Sequence, residues 1–227
     1  MPRTLDPTLH QVRRDAFLDV AQRLIQVKGY EAMTVQEILA ELEASKGAFY
    51  HYFDSKQALL EAVVARMVDA AILNVAPVVA DPRLDAPTKL QRVFSASSTW
   101  KAERKELMVA LIEVWESDGN ALVREKVRRQ SGGQLVPVLS AVVRQGIDEG
   151  HFAAGSPEQT AAVLVTLLQG FGVRYTELFI ARQAGSVTFD EVKRCSNAFD
   201  DAVVRILGLP PGSLTLADDR ALHFWFD

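Results

Sequence analysis

The sequence contains a single cysteine, Cys195, among its 227 residues. One cysteine cannot form an intrachain disulfide, and no Cys/His pair has the spacing of a structural zinc site. The chain also lacks an excess of positive charge, because 25 Lys and Arg face 29 Asp and Glu. Bulk attraction to nucleic acid is therefore excluded, so any nucleic-acid binding must be local. A reducing compartment is expected.

The sequence has little that is typical of a secretory leader or a membrane span. Its opening residues, MPRTLDP, contain two prolines and an acid where a signal peptide needs an apolar run of at least about 7 residues. The most apolar stretch, 161–173, is interrupted by Gln169 and two glycines, well short of the roughly 18 apolar residues of a membrane helix. We expect a cytoplasmic protein without a membrane segment.

Recognisable catalytic spacings are also missing. The sequence shows no nucleophile–base pair, phosphate-binding loop, paired catalytic carboxylates or metal cluster. The four histidines, His10, His51, His151 and His223, do not stand at metal-ligand spacing with carboxylates. Cys195 falls on an apolar stripe and is expected to be a small core residue. We therefore expect no enzyme activity, no cofactor and no metal.

Helical periodicity dominates the chain, whereas no convincing alternating strand pattern occurs, which predicts an all-α fold. Capping boxes are predicted at Thr34–Glu37 and at Thr188–Glu191, and Gly29, Gly150 and Gly208 are expected to close helices. A linker is expected over 77–87, where three prolines occur. Helices are predicted over 17–27, 34–42, 45–53, 55–75, 87–102, 105–116, 121–149 (kinked or split near its two glycines and Pro137), from 156 onward, and over 188–207.

The three short helices within the first 58 residues have the arrangement of a helix-turn-helix, whose second helix of the pair enters the DNA major groove. The segment 45–53 sharpens this prediction. Phe49 and Phe53 can anchor its inner face, while a small first turn and several hydrogen-bond donors point outward. Such a helix is suited to lie against a phosphate backbone.

Here the sequence resembles the TetR family of bacterial one-component transcription regulators. The resemblance runs over residues 16–60 and rests on four motifs: Gly29-Tyr30 after an apolar helix, TVQEI at 34–38, SKGAFYHYF at 45–53, and Ser55-Lys56 followed by Leu59-Leu60. The remainder agrees with the family only in being an all-α unit of the expected length. The implied architecture is a helix-turn-helix DNA-binding domain (1–58), a helical ligand-binding and dimerisation domain (59–212) and a C-terminal tail (213–227).

The matched positions have physical roles on DNA. Ser45 can cap the recognition helix, Lys46 can reach a phosphate or a guanine edge, and Gly47 permits close approach of the backbone. Hydroxyl contacts to phosphates are expected from two tyrosines, base contacts from a histidine, and further backbone contacts from a lysine and a threonine. These residues are Tyr50, Tyr52, His51, Lys56 and Thr34, and an arm of Arg3, Arg13 and Arg14 could add contacts on flanking DNA.

A purely structural role is the alternative for most of these residues. Tyr50 and Tyr52 could be half-buried aromatics, His51 could be an idle surface residue, and Ser45 and Thr34 could act as caps first.

One position departs from the family pattern, because Glu43 stands in the turn where the family has glycine. A non-glycine residue in a left-handed conformation there costs about 1 kcal/mol. Residues 1–66 hold eight Lys and Arg against nine Asp and Glu, so a modest and salt-dependent DNA affinity is expected.

The family resemblance implies a homodimer, paired through the last two long helices, and a small-molecule effector. The residues agree in part: 161–180 is apolar nearly all round, and a second stripe suits a dimer seam, although plain monomer core is the alternative. That stripe comprises Phe189, Val192, Cys195, Phe199, Ala202, Val203, Ile206 and Leu207.

Seven residues are predicted to line a site for an apolar or aromatic effector: Phe94, Trp100, Met108, Leu111, Trp115, Phe171 and Tyr175. The tail, which ends in HFWF before Asp227, is expected to fold back on the body or on a partner.

The function predicted from the sequence is a transcription regulator, in most cases of this kind a repressor released from a palindromic double-stranded DNA operator by its effector. Such a protein associates with the nucleoid. The alternative left open is a helix-turn-helix protein that acts without a small-molecule ligand, as an activator or in an architectural or protein-contact role. A ligand that weakens DNA binding would exclude this alternative.

Overall fold

The computed structural model describes residues 7–115 and 118–227, which form ten α-helices and no strand. The all-α prediction is thus confirmed. A short 3-10 turn, Asp118–Asn120, precedes the seventh helix. The helices are α1 (Pro7–Lys28), α2 (Val35–Glu41), α3 (Lys46–Tyr52), α4 (Lys56–Ala80), α5 (Ala86–Ala102), α6 (Lys105–Trp115), α7 (Ala121–Asp148), α8 (Pro157–Gln183), α9 (Phe189–Leu207) and α10 (Asp219–Phe226).

Local signals placed most helix ends correctly. The side chains of Thr34 and Thr188 each accept a hydrogen bond from the backbone N–H three residues on, and the glutamate there accepts one in return. Ser55 Oγ accepts from Ala58 N at 3.0 Å at the start of α4. Gly208 closes α9 in a left-handed conformation, φ 69°, which a glycine adopts without strain.

The structure corrects two predictions that were based on proline. The expected linker over 77–87 is only the short turn 81–85, because α4 continues through Pro77 to Ala80 and Asp85 caps α5. For α7, which was predicted to be kinked or split, the split is wrong, because the helix continues through Pro137. Both prolines are exposed, so water can bond to the backbone carbonyl that each leaves without an N–H partner.

The chain forms two compact units, which do not follow sequence order. Unit 1 contains the described residues up to Val68 together with Arg104–Val127, and unit 2 contains Asp69–Glu103 and Arg128–Asp227. The boundaries predicted from the sequence, 58/59 and 212/213, differ from this division. The reason is that α6 packs on α1, which brings Leu107 into the same core as the first four helices.

The core of unit 1 is apolar and fully enclosed. It is formed by α1 to α4 and α6, with no exposed surface on most of its large side chains. Polar side chains join these helices at the edges: Arg66 of α4 pairs with Asp19 of α1 at 2.7 Å, and Gln26 of α1 donates to Glu106 of α6 at 2.8 Å. The central residues are Leu18, Ile25, Met33, Ile38, Phe49, Leu59, Leu60, Val63 and Leu107.

The core of unit 2 is built from α5, α7, α8 and α9 and from the segment that follows α9. Phe152, after α7, packs directly against Gly146, so that a side chain at that glycine would collide with the ring. Leu214 and Leu216 are buried in the same core as Phe199. The C-terminal segment is therefore part of the packing of unit 2.

Helix α10 was missed as a helix, although its folding back on the body was expected and is confirmed. Asp218 Oδ1 accepts from Ala221 N at 2.7 Å as its cap, and α10 contacts α5, α8 and α9. Leu222 and Phe226, one turn apart, are its buried residues. An acidic cap followed by apolar residues at four-residue spacing was the signal that could have found it.

Within the part of the chain that the structure describes, two helices, α4 and α8, are long and apolar enough to cross a membrane, a property that core helices of soluble proteins share. The expected absence of a membrane segment stays a prediction.

Candidate nucleic-acid interface

Helix α3 is fixed in unit 1 by two phenylalanines and a cap. Ser45 Oγ accepts from Ala48 N at 3.1 Å, which satisfies one of the free N–H groups at the start of the helix. Phe49 has no exposed surface and Phe53 almost none, and both rings contact Phe17 of α1. The inner face of α3 is thereby anchored as predicted, which sets the direction of its outer face.

The outer face of α3 presents the residues predicted to contact DNA. Lys46, Gly47 and His51 are exposed, and Tyr50 is 49% exposed with its ring edge against Phe49. A Cβ at Gly47 would meet only Ser45 Oγ, at 3.9 Å. The fold itself therefore does not need glycine here, and the open space beside Gly47 is available to an external backbone. Neither Tyr50 nor His51 is a core residue, and their predicted contacts with DNA stay predictions.

Tyr52 differs from Tyr50, because it packs against α1. Its ring lies 4.7 Å from that of His10 and 5.7 Å from that of Phe17, measured between centroids. His10 also meets His51 edge-on at 5.5 Å. No role on the DNA-binding face was predicted for His10, yet this residue contacts two residues of α3. Tyr52 is half-buried, so the structural alternative applies to it in part.

Lys56 and Thr34 are tied to neighbouring groups in the free protein. Lys56 Nζ donates to the backbone oxygen of Glu31 at 3.2 Å and lies 4.2 Å from the centre of the Tyr30 ring. Thr34 is exposed, and its hydroxyl belongs to the capping box of α2. Their predicted contacts with phosphates stay predictions.

Glu37 connects the cap of α2 to the end of α1. Its carboxylate accepts from Thr34 N at 2.9 Å and pairs with Lys28 of α1. The hydrogen bond from Lys28, followed by those from Thr34, lowers the pKa of Glu37 to about 2. The carboxylate thus stays ionised near neutral pH and keeps α2 in register with α1.

The turn between α2 and α3 has the predicted strain. Glu43 has φ 48°, and it is the one non-glycine residue with positive φ in the described part of the chain. Its neighbour Glu41 pairs with Arg23 of α1. One of the two acidic residues near the predicted DNA face is therefore neutralised within unit 1, whereas Glu43 is exposed.

The expected basic arm is only partly described. Arg3 lies outside the described residues. Arg13 is exposed on α1, and the guanidinium of Arg14 lies 5.4 Å from the centre of the Phe53 ring. Arg14 thus lies beside the C-terminal end of α3.

The residues nominated for an effector fall into both units. Phe171 stacks on Phe199 at 4.0 Å and contacts Tyr175 at 4.4 Å, and Phe94 meets Phe199 at 6.3 Å, all within unit 2. Trp100 also belongs to unit 2. The others, Met108, Leu111 and Trp115, belong to unit 1, and Leu111 is part of its core.

Half of the stripe on α9 that was expected to form a dimer seam, namely Val192, Phe199, Val203 and Leu207, is buried in the chain itself. The monomer-core alternative applies to these four residues, and pairing through α9 stays a prediction. On α8, by contrast, Val163, Val173 and Ile180 are exposed. Periodicity shows that a face is apolar, but it does not show which neighbour covers it.

Comparison with known proteins agrees with this geometry. The family described as "Bacterial regulatory proteins, tetR family" matches residues 17–63. The uncharacterized HTH-type transcriptional regulator YuxN of Bacillus subtilis is 44% identical over 61 residues, 26% of this chain and 21% of that protein. The HTH-type transcriptional repressor KstR2 of Rhodococcus jostii is 23% identical over 185 residues, 80% of this chain and 86% of the relative.

A solved structure shows the same fold over nearly the whole chain. The TetR transcription regulator from Haloarcula marismortui superposes with a TM-score of 0.62 at 22% identity, covering 87% of this chain and 97% of that one. The helix-turn-helix geometry, the family match over α1 to α4 and the full-length fold point the same way. Residues 17–63 therefore match the DNA-binding domain of the TetR family, and most of the chain shares the fold of a solved TetR regulator.

Proposed function

We propose that the protein is a homodimeric repressor that leaves a palindromic operator when a small, apolar or aromatic effector binds. The observation that carries the proposal is the two-sided construction of α3. Phe49 is completely buried while Lys46, Tyr50 and His51 face outward around an open glycine. Two such helices in a dimer fit successive major grooves about 34 Å apart.

The exposed face of α8 supports pairing of two copies. Val163, Val173 and Ile180 are large apolar side chains in contact with water, and an open groove between α8 and α9 is lined by Ala162, Leu167 and Ile206. A second copy would remove this surface from water at about 25 cal/mol per Å². Val163→Asp should therefore weaken dimerisation, whereas Val27→Asp, on an exposed site of α1, should not. Sedimentation measurements over a range of concentrations test this.

DNA binding is tested with fragments from upstream of the protein's own and neighbouring reading frames. Fluorescence anisotropy is recorded over a salt series with random DNA as competitor. Tight, competitor-resistant binding by two chains to a symmetric site is expected. Absence of any sequence preference at every salt concentration would contradict the proposal, as would binding by one chain.

The roles of two exposed residues of α3 can be separated. Tyr50→Phe removes only a hydroxyl and should weaken binding to all sequences alike, by the loss of a phosphate contact. His51→Ala should change the preference at particular bases by about 1–3 kcal/mol. A uniform loss for both variants would overturn this division. Repressor action itself is tested by transcription from the bound promoter, where activation would favour the alternative function.

A further inference from the structure

Two buried hydroxyl groups in unit 2 have no hydrogen-bond partner. Among the described residues, the buried side-chain oxygens that lack a partner are Gln134 Oε1, Tyr175 Oη and Ser196 Oγ. Tyr175 of α8 and Ser196 of α9 are neighbours: their hydroxyls do not form a hydrogen bond of normal geometry, but they are close enough for Ser196 to lower the pKa of Tyr175 against the larger effect of burial. A buried hydroxyl that lacks a hydrogen bond destabilises the folded state. Two such groups side by side are unusual in a finished core.

A third polar group, Asp200, stands one turn further along α9. Both of its carboxylate oxygens accept from Leu216 N at 3.3 Å. Burial raises the pKa of Asp200 to about 6 and that of Tyr175 to about 12. Tyr175 is therefore a neutral phenol that can donate a hydrogen bond, and the adjacent acid disfavours a negatively charged ligand.

These polar groups lie at one end of a row of aromatic rings. Phe199 stacks on Phe171 at 4.0 Å, with 10° between the ring planes, and Phe171 leads to Tyr175 at 4.4 Å. The ring of Phe226 of α10 contacts the Tyr175 ring edge-on, with 5.2 Å between the ring centroids. Flat rings with a few hydrogen-bonding groups at one end are typical of small-molecule sites.

The space beside this row is almost filled. The cavity lined by Phe94, Leu139, Leu168 and Phe199 has a volume of about 10 Å³, room for one water molecule. A ligand can therefore enter only where a protein group leaves. Phe226, which is 2% exposed, is the group that covers Tyr175.

Residues 208–218 separate α10 from α9, so the helix is a distinct element that would detach while Leu214 and Leu216 stay in the core of unit 2. The segment before it contains Pro210, Pro211 and Gly212, which separate it from α9. Its polar attachments include Arg182 Nε, which donates to the backbone oxygen of Phe226 at 3.1 Å, the pair of Arg182 with Asp227 at 3.6 Å, and the pair of Lys193 with Asp219 at 2.7 Å. A short helix held in this way is the kind of element that opens locally.

We propose that α10 occupies an effector site, and that a neutral ligand with a flat apolar ring and a hydrogen-bond acceptor displaces Phe226 from Tyr175. The acceptor takes hydrogen bonds from Tyr175 Oη and Ser196 Oγ, which have none while the helix is bound. The ring replaces Phe226 in the aromatic row. This inference rests on the effector step of the proposed function and names its site and ligand class.

The test uses Prodan, a neutral naphthalene ketone whose fluorescence reports a dry, hydrogen-bonded site. Full-length Phe226→Ala should bind one Prodan per chain about tenfold more tightly than wild type or better, because wild type populates the open state at only about 0.1–10%. Phe224→Ala, on the same helix but 44% exposed, is the matched control and should match wild type. Near-UV circular dichroism and a cooperative melt show that each variant is folded.

Three further variants locate the probe and control for misfolding. In the Phe226→Ala background, Tyr175→Phe and Ser196→Ala should each lower Prodan affinity about 2- to 10-fold, as expected for one lost hydrogen bond. Arg182→Gln loosens the attachment of Phe226 while keeping its ring, and should raise Prodan affinity above wild type. Equal affinity in wild type, Phe226→Ala and Arg182→Gln would overturn the proposal.

Operator binding is measured separately so that the two proposals can fail independently. Anisotropy of a labelled operator is recorded for wild type and Phe226→Ala with and without Prodan. Prodan binding that depends on α10 but leaves operator affinity unchanged supports the site and removes the effector step of the proposed function. Operator binding without any Prodan site supports a regulator and rejects the role of α10.

Discussion

Asn120 in unit 1 and Ser196 in unit 2 are both buried polar residues, 5% and 1% exposed, in very different surroundings. Asn120 donates to the backbone oxygen of Val114 at 3.0 Å and accepts from Gln57 at 3.4 Å. Ser196 Oγ has no partner. Unit 1 satisfies this buried polar group internally, as suits a shape that must fit one duplex. Unit 2 has buried hydroxyl groups without a hydrogen-bond partner, as expected for the reversible ligand site that we propose.

The largest expected difference between the units comes from removing a buried phenylalanine from each. Phe49→Ala should destabilise the protein by about 3–5 kcal/mol and abolish operator binding, because the ring lies at the centre of unit 1. Phe226→Ala should cost less, because local detachment of α10 limits the loss. Urea unfolding measures both. Equal losses would mean that α10 is as firmly integrated as α3.

The acid in unit 2 should make stability depend on pH. The folded-state pKa of Asp200, about 6, lies above its ordinary value of 3.8, so the folded protein binds more protons between these values. Its contribution to the free energy of unfolding is therefore lost as pH rises from about 4 to 6, by about 1–3 kcal/mol.

Asp200→Asn isolates this effect, since the amide oxygen can still accept from Leu216 N while the charge is gone. Subtracting the variant's stability from that of wild type at each pH cancels the histidines and the neighbouring Asp201. The difference should change across pH 4–6 and be flat above it. A constant difference would contradict burial of the carboxyl group.

Matched capping boxes allow a smaller and more exact comparison. Thr34 Oγ1 accepts from Glu37 N at 3.2 Å, and Thr188 Oγ1 from Glu191 N at 3.3 Å. Each Thr→Ala change should cost about 1 kcal/mol. Only Thr34→Ala should also lower operator affinity beyond what its stability loss explains. If Thr188→Ala lowers it equally, the predicted phosphate contact of Thr34 is wrong.

The smallest effect is expected at the turn before α3. Glu43→Gly should stabilise unit 1 by up to about 1 kcal/mol, because glycine adopts positive φ without strain. It should also strengthen DNA binding by removing a negative charge. Glu43→Gln removes the charge but keeps the strain, so thermal unfolding and a salt series separate the two causes. Loss of stability in Glu43→Gly would show that the side chain itself supports the turn.

Local chemistry explains which features the sequence predicted. The caps at Thr34 and Thr188, the left-handed Glu43 and the two-sided α3 depend on residues within a few positions of each other. The continuity of α4 and α7 was not predicted, because a proline in a sequence usually ends a helix. Both prolines are exposed, so the helices continue through them without losing a tertiary contact. In the same way, the exposure of Tyr50 followed from helical spacing, whereas the contact of Tyr52 with His10 joins α3 to α1 across the fold.

The residues predicted to bind an effector show most clearly what the sequence pattern does not predict. Aromatic residues on the middle helices suggested one pocket, yet Leu111 packs in unit 1 and Phe171 in unit 2. Nothing in the spacing of α5 to α8 specifies that α6 turns toward α1. The unsatisfied oxygens of Tyr175 and Ser196 appear only when α8, α9 and α10 are assembled, and no sequence pattern marks an unmade hydrogen bond.

The exposed apolar face of α8 makes the state of the protein depend on its concentration in the cell. If a second copy covers Val163, Val173 and Ile180, the folded dimer is favoured by mass action, and its apparent stability rises with concentration. While the concentration exceeds the dissociation constant, each tenfold dilution removes about 1.4 kcal/mol of that support. Occupancy of a symmetric site would fall more steeply than the number of chains, so the level of expression itself becomes an input to regulation.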